Sequence, residues 1–218
     1  MARTVAPVKR QRGQLSRARI LSAALHLVDQ DGLEALTMRR LADELKVDPM
    51  SIYNHVEGKD ALLDGLAEAL WNEVQLPDET MSWTDALRAL ASSLRQLAHA
   101  HPHAYGLLLS RCIFPRPALL AVDAVLRTLQ RAGLGREQAA EMIRTLLSYA
   151  AGYTMLELSA LPAAGTTELE QIVMVTRALP RDTPVHLVDV ARLMADCDVD
   201  HQFNLGLDLI LAGLEARL

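Results

Sequence analysis

Cysteine is nearly absent from this 218-residue sequence: only Cys112 and Cys197 occur, far apart and without a CxxC pairing. Neither a disulfide scaffold nor a cysteine-based zinc module can be built from them, and a reducing, cytoplasmic setting is expected. Aromatic residues are also scarce at 4%, which disfavours β-sheet. No apolar run reaches the length of a membrane span, and no signal-peptide core follows the basic amino terminus, so no membrane association is expected. HExxH, GxSxG and phosphate-loop glycine patterns are missing as well. The sequence therefore predicts no enzyme, no cofactor and no metal site.

Leu and Ala dominate what is present, and half of the residues are hydrophobic, which predicts an all-α protein with a sizeable core. The net charge of −5 is uneven: residues 1–19 carry six basic side chains and no acidic one. A basic arm on an otherwise acidic chain can follow phosphates locally.

Helical periodicity runs through Ile20, Ala24, Leu27 and Val28, with Ser16 as N-cap and Gly32 as terminator. A second helix is expected from the cap Thr37, burying Leu41 and Leu45. A third starts at Asp48-Pro49 and runs about two turns to Gly58, since an Asp cap followed by Pro is a strong helix start. A fourth spans about Asp60 to Gln75, ended by Pro77. Further helices are expected near 84–100, 104–112, 118–132, 137–161, 168–179, 185–195 and 201–217. The expected division is a basic arm at 1–16, a helix-turn-helix unit at 17–62 and a larger helical domain at 63–218.

The second and third helices are joined by the tight segment Leu45-Lys46-Val47-Asp48, a helix-turn-helix spacing. Any small helical bundle has short turns, so composition must add to spacing. The third helix needs only Ile52 and Val56 for packing. Its remaining Ser, Asn and His can bond base edges or phosphates, its Pro and Met can meet thymine methyls, and its Tyr can reach a phosphate.

Leu36-Thr37-Met38-Arg39-Arg40-Leu41-Ala42, followed by Val47 to Val56 and by Gly58-Lys59-Asp60-Ala61-Leu62-Leu63, resembles the DNA-binding domain of the TetR family of transcriptional repressors. The ending from Phe203 to Glu215 is similar to the last helix of the tetracycline-repressor-like branch, and Gly152-Tyr153-Thr154-Met155-Leu156-Glu157 is similar to that branch's long dimerisation helix. The resemblance implies an amino-terminal three-helix DNA-binding unit followed by a helical ligand-binding and dimerisation domain. It further implies a homodimer on a near-palindromic double-stranded operator, released by a small-molecule effector. Arg39 would then reach a base edge, and Pro49, Met50, Ser51 and Asn54 would face bases. Tyr53, His55 and Lys59 would lie at or near phosphates, with Thr37 at the mouth of the second helix. Lys46 stands where the family usually has Gly, which predicts a left-handed backbone cost. Met38 replaces a small hydroxyl or Val.

Two segments, 137–161 and 201–217, are apolar on nearly every side, and helices apolar all round must be buried all round. A partner subunit would bury them. His99 and His103 have the i, i+4 spacing of metal ligands, but Pro102 pushes residue 101 out of helical geometry, so the histidines read as incidental to a helix end. Tyr105, Ser110, Arg111, Phe114, Met142, Tyr149, Tyr153, Glu157 and Met174 are the candidates for an effector pocket, where adaptable apolar walls carry a few polar anchors. Two rival readings are a small-molecule-binding or adaptor protein without DNA-binding activity, and an all-α enzyme using Glu157 or a histidine.

Overall fold

The computed structural model describes residues 15–111, 115–160, 168–195 and 198–216. The basic side chains of the arm up to Arg12 and the candidate Phe114 lie outside the described residues. Every regular element among the described residues is helical. α1 (Arg17–Asp31) opens on Ser16, whose hydroxyl accepts from the Arg19 N–H, and closes on Gly32 at φ 82°. A 3-10 turn, Leu33–Ala35, which the periodicity does not announce, leads into α2 (Met38–Leu45). Thr37 caps α2, its hydroxyl accepting from the Arg40 N–H at 3.1 Å.

α3 (Pro49–Tyr53) begins where the sequence predicts, with the Asp48 carboxylate accepting from the Met50 N–H at 2.8 Å. It is shorter than the expected run to Gly58. The His55 and Val56 N–H groups both donate to the Ile52 carbonyl, a tightened turn that drops Val56 into the core. Gly58 then sits at φ 126°, a backbone that L side chains rarely adopt, and redirects the chain into α4 (Lys59–Glu73).

α5 (Trp83–Ala100), α6 (Gly106–Ser110), α7 (Arg116–Arg131) and α8 (Arg136–Ala160) follow, and α5, α7 and α8 pack pairwise. α6 keeps only the middle of its expected span, because residues 101–105 form a separate turn in which the Ala104 and Tyr105 N–H groups donate to the His101 carbonyl. α9 (Glu168–Ala178) and α10 (Val185–Ala195) pack on each other, and α11 (Val199–Glu215) packs along α8. One apolar cluster runs from Ile20, Leu41 and Ile52 through Leu66 and Leu70 of α4 to Leu90, Val125 and Leu146. α4 therefore shares its buried stripe between the first three helices and the rest. No described helix is long and apolar enough to cross a membrane.

Candidate DNA interface and effector cleft

The turn between α2 and α3 is built on Lys46, which adopts φ 56°, ψ 46° in the left-handed region. Its N–H donates to the Asp43 carbonyl and the Val47 N–H to the Ala42 carbonyl, the paired closure that usually calls for glycine. The backbone cost expected from the sequence is thus present, and two hydrogen bonds hold the residue there.

α3 is fixed by one fully buried side chain, Ile52, with Val56 just beyond it. Its outer side carries Met50, 70% exposed, and the exposed Tyr53, with Pro49 and Ser51 half-buried; Asn54 and His55, in the turn that follows, are exposed as well. Arg40 is drawn back by an ion pair with Asp31, whereas neighbouring Arg39 stands exposed. Lys59 is exposed at the first turn of α4. The hydroxyl of Thr37 is occupied as the α2 cap. All nine DNA-facing candidates, Thr37 included, thus lie at exposed or half-buried positions of the α2 cap, α2, α3, the turn after α3 and the start of α4.

The nine effector-site candidates are distributed differently. Tyr105 is buried at the head of α6, where burial pushes its phenol pKa up to about 12. Ser110 is exposed. Arg111 is engaged by α4: its Nε donates to Asp64 at 2.6 Å and its Nη2 to the Asp60 carbonyl at 3.1 Å. Met142 is buried beside a cavity of about 300 Å³ whose wall also includes Gln138, Arg144 and Leu214. Met174 is exposed on α9.

The remaining three described candidates meet at the seam of α8 and α11. Tyr149 donates its hydroxyl to the Phe203 carbonyl at 2.9 Å, and Tyr153 donates to Val199 at the same distance. The rings of Tyr149, Tyr153 and Phe203 lie 5.4 to 5.9 Å apart, a spacing at which aromatic edges and faces attract. Tyr149 lies so close to α11 that a Cβ on Gly206 would fall 2.0 Å from its hydroxyl. Only glycine fits there.

Glu157 opens onto a cleft of about 530 Å³ between α5, α8 and α11, lined also by Ser92, Gln96 and Asn204. Its carboxylate is 3% exposed and takes a two-pronged bond from Arg95, 2.8 Å from Nε and 2.6 Å from Nη2. Burial works to raise the Glu157 pKa, but the Arg95 hydrogen bonds and charge, with His99 at 3.1 Å, outweigh it and lower the value. The Arg95 guanidinium also lies 4.8 Å over the Phe203 ring and reaches the exposed Asp200 at 2.7 Å. Arg95 and Asp200 escaped the sequence reading, which took His99 as incidental to a helix end and Phe203 only as part of the last helix, since residues of α5 and α11 have no spacing that links them to Glu157.

The histidines after α5 are not incidental. His101 contacts Asp29 of α1 through Nδ1 at 2.9 Å and Glu73 of α4 through Nε2 at 3.0 Å. His103 Nδ1 faces the Val28 and Asp29 carbonyls at 3.2 and 3.0 Å. The proline that spoils the metal spacing moves both residues off the helix and into the joint with α1. Among the described residues, no three ligating side chains are grouped as a metal site.

Residues 20–66 match the family described as bacterial regulatory proteins, tetR family, and residues 76–218 match the tetracyclin repressor-like C-terminal domain. An HTH-type transcriptional regulator of Saccharopolyspora erythraea is 36% identical over 144 residues, which cover 66% of this chain and 61% of that protein. The HTH-type transcriptional repressor DrrR1 of Streptomyces coeruleorubidus is 30% identical over 96% of this chain and 80% of its own length. The crystal structure of the TetR family protein ActR from Streptomyces coelicolor, in complex with actinorhodin, superposes with a TM-score of 0.78 at 31% identity, covering 94% of this chain and 98% of that one. With both halves matched and the helix-turn-helix in place, the chain belongs to the TetR family of bacterial transcriptional regulators.

Proposed function

We propose that the protein is a repressor that binds a near-palindromic operator as a homodimer and leaves it when a small-molecule effector occupies the larger helical domain. The division that goes with this reading is an arm at 1–16, a DNA-reading unit at 17–62 and an effector and dimerisation domain at 63–218. The observation that carries it is the outer side of α3 and the turn after it, where a largely exposed Met50 is followed by the exposed Tyr53, Asn54 and His55. Such a surface suits thymine methyls, base edges and phosphates better than open water. Arg39, Pro49, Met50, Ser51 and Asn54 take the base-facing roles, Tyr53, His55 and Lys59 the phosphates, and Thr37 positions the α2 entry.

A five-residue helix reads few bases, so selectivity requires two copies in successive major grooves. The surface that would join them is the outer side of α8 and α11, where Leu156 is 70% and Leu209 67% exposed, beside Met155 and Leu205. Pairing these helices with a second copy removes that apolar area from water. ActR, solved with actinorhodin, supports an organic effector here too. The Glu157 cleft supplies an apolar floor, Phe203, with polar anchors around it. α4 is the element through which an effector would act, since it packs on both α1 and α7. Swinging the population from almost wholly bound to almost wholly released requires about a 10⁴-fold preference for the released state.

The test is a salt-dependent mobility shift on the DNA upstream of its own coding region. Tyr53→Phe and Lys59→Ala should weaken binding to all sequences, the Lys change with a shallower salt slope. Arg39→Ala should lose about 1–3 kcal/mol of discrimination at one base pair. Unchanged operator affinity in both Lys59→Ala and Arg39→Ala overturns the DNA assignment. Leu209→Glu should sediment as a monomer, or fail to fold, and a wild-type monomer at micromolar concentration overturns the dimer.

A further inference from the structure

The α5 terminus is closed on both sides by backbone hydrogen bonds through His101. The His101 N–H donates to Leu97, closing the helix, while its carbonyl accepts from the Ala104 and Tyr105 N–H groups that start the next turn. Pro102 excludes the α conformation at the preceding residue, and His101 accordingly takes φ −131°, ψ 60°. That backbone turns the imidazole away from α5 and into the joint with α1 and α4, where its side chain is 14% exposed.

Both ring nitrogens there face carboxylate oxygens, Asp29 on α1 and Glu73 on α4. A carboxylate only accepts, so satisfying both contacts takes a proton on each nitrogen, which is the imidazolium. A neutral ring leaves one nitrogen lone pair against a carboxylate oxygen. Asp29 adds to the demand: its other oxygen, Oδ1, is buried and has no hydrogen-bond partner among the described residues. Burial works to lower the His101 pKa, but the hydrogen bonds to Asp29 and Glu73 and their charges outweigh it and raise the value. The other titratable group at this joint is His103, which faces the backbone carbonyls of Val28 and Asp29.

We infer that His101 is a positioning residue for operator binding: its imidazolium, bonded at once to α1 and α4, straps the DNA-reading helices to the end of α5. The strap fixes α1 against α4 and so holds α3 at one attitude. Released, the joint samples several attitudes, and the operator must select among them, which lowers the apparent affinity by the fraction that fits. The raised pKa sets the sign. The strap is complete below the ordinary histidine range and is lost as pH rises through the raised value. Operator affinity therefore falls toward alkaline pH.

The inference rests on the operator-binding reading, and its test separates the two. Operator affinity is measured from pH 6 to 8.5 on the full-length protein, using a duplex selected in vitro by the wild type, alongside His101→Lys and His101→Gln. His55 lies among the DNA-facing candidates, so the informative quantity is the difference between profiles. The wild type should lose several-fold more affinity over this range than His101→Lys, whose permanent cation keeps the strap. His101→Gln should be weak throughout. Parallel profiles for wild type and His101→Lys, or wild-type affinity at pH 6 in a folded His101→Gln, overturn the inference.

If His101→Gln fails to fold, Glu73→Gln on the solvent side serves instead. It should shift the NMR titration midpoint of the His101 ring downward and move the affinity profile with it. An unmoved midpoint overturns the strap. The ring titration needs no DNA, so it reports on the strap even if no duplex binds and the operator reading fails.

Discussion

The DNA-reading helices and the α5–α8–α11 cleft are assembled over different distances along the chain. Every candidate DNA contact falls between Thr37 and Lys59, and the devices that shape the surface are local: the Thr37 cap, the left-handed Lys46, the Asp48 cap and Gly58. The cleft draws Arg95, Glu157 and Asp200 from three helices separated by long stretches of chain. A local surface is written in residue spacing, whereas a cleft between distant helices depends on how those helices pack. The first therefore tolerates change at its outer positions, and the second answers strongly to the loss of one buried group.

Glu157→Leu tests that contrast with the largest expected effect. It leaves the Arg95 guanidinium, 13% exposed, without its two-pronged partner. Removing one side of a buried pair costs about 3–5 kcal/mol where the other charge is left uncompensated; Asp200 stays 2.7 Å from Arg95, so the loss should fall at or below the lower end of that range, and Arg95→Leu with Glu157→Leu together should restore much of it. Chemical denaturation of the three variants checks this. Additive losses in the double variant would mean that the pair is not coupled. The pH dependence carries the same sign: the folded Glu157 value lies below the ordinary one, so its stabilisation is complete above the ordinary carboxylate range and is lost as pH falls through the lowered value. The acid limb of the wild-type stability curve should thus be steeper than that of Glu157→Gln.

The same contrast explains what could be read from the chain. Ser16, Gly32, Thr37 and Asp48-Pro49 mark helix ends through their own side-chain and backbone geometry, and the structure uses each of them. The end of α3 was less legible, because the tightened turn at Ile52 answers to the burial of Val56 rather than to a local terminator. Glu157 stood out as an acid in an apolar helix. Arg95 did not, since a basic residue on an amphipathic helix ordinarily faces water. His101 and His103 were visible but misjudged: Pro102 argued against a shared helical face, and nothing in the spacing disclosed that Asp29 and Glu73 would meet them.

Gly206→Ala separates packing at the α8–α11 seam from electrostatics in the cleft. The new methyl would meet the Tyr149 ring and hydroxyl, and the tyrosine is tied down by its bond to the Phe203 carbonyl. Overpacking of this kind costs about 1–3 kcal/mol. The expected outcome is a lower midpoint in thermal denaturation, and Tyr149→Phe combined with Gly206→Ala should recover part of it by freeing the ring. A Gly206→Ala protein as stable as the wild type would mean that α11 shifts along α8 at little cost.

Lys46→Gly probes the opposite region and should give the smallest change, with the opposite sign. The left-handed conformation costs an L-residue roughly 1–2 kcal/mol, and glycine adopts it freely. Glycine also loses more backbone entropy on folding, about 0.4–1 kcal/mol relative to alanine, which offsets part of the relief. The net expectation is a gain of somewhat under about 1 kcal/mol, a rise of roughly 2–4 °C at most in a chain of this size. Both hydrogen bonds of the turn come from backbone N–H groups, of residues 46 and 47, and survive the change. The attitude of α3 should therefore be preserved and operator affinity unaltered after correction for the lost positive charge, which a salt titration isolates. A destabilised Lys46→Gly would show that the Lys46 side chain contributes more to the turn than its backbone conformation costs.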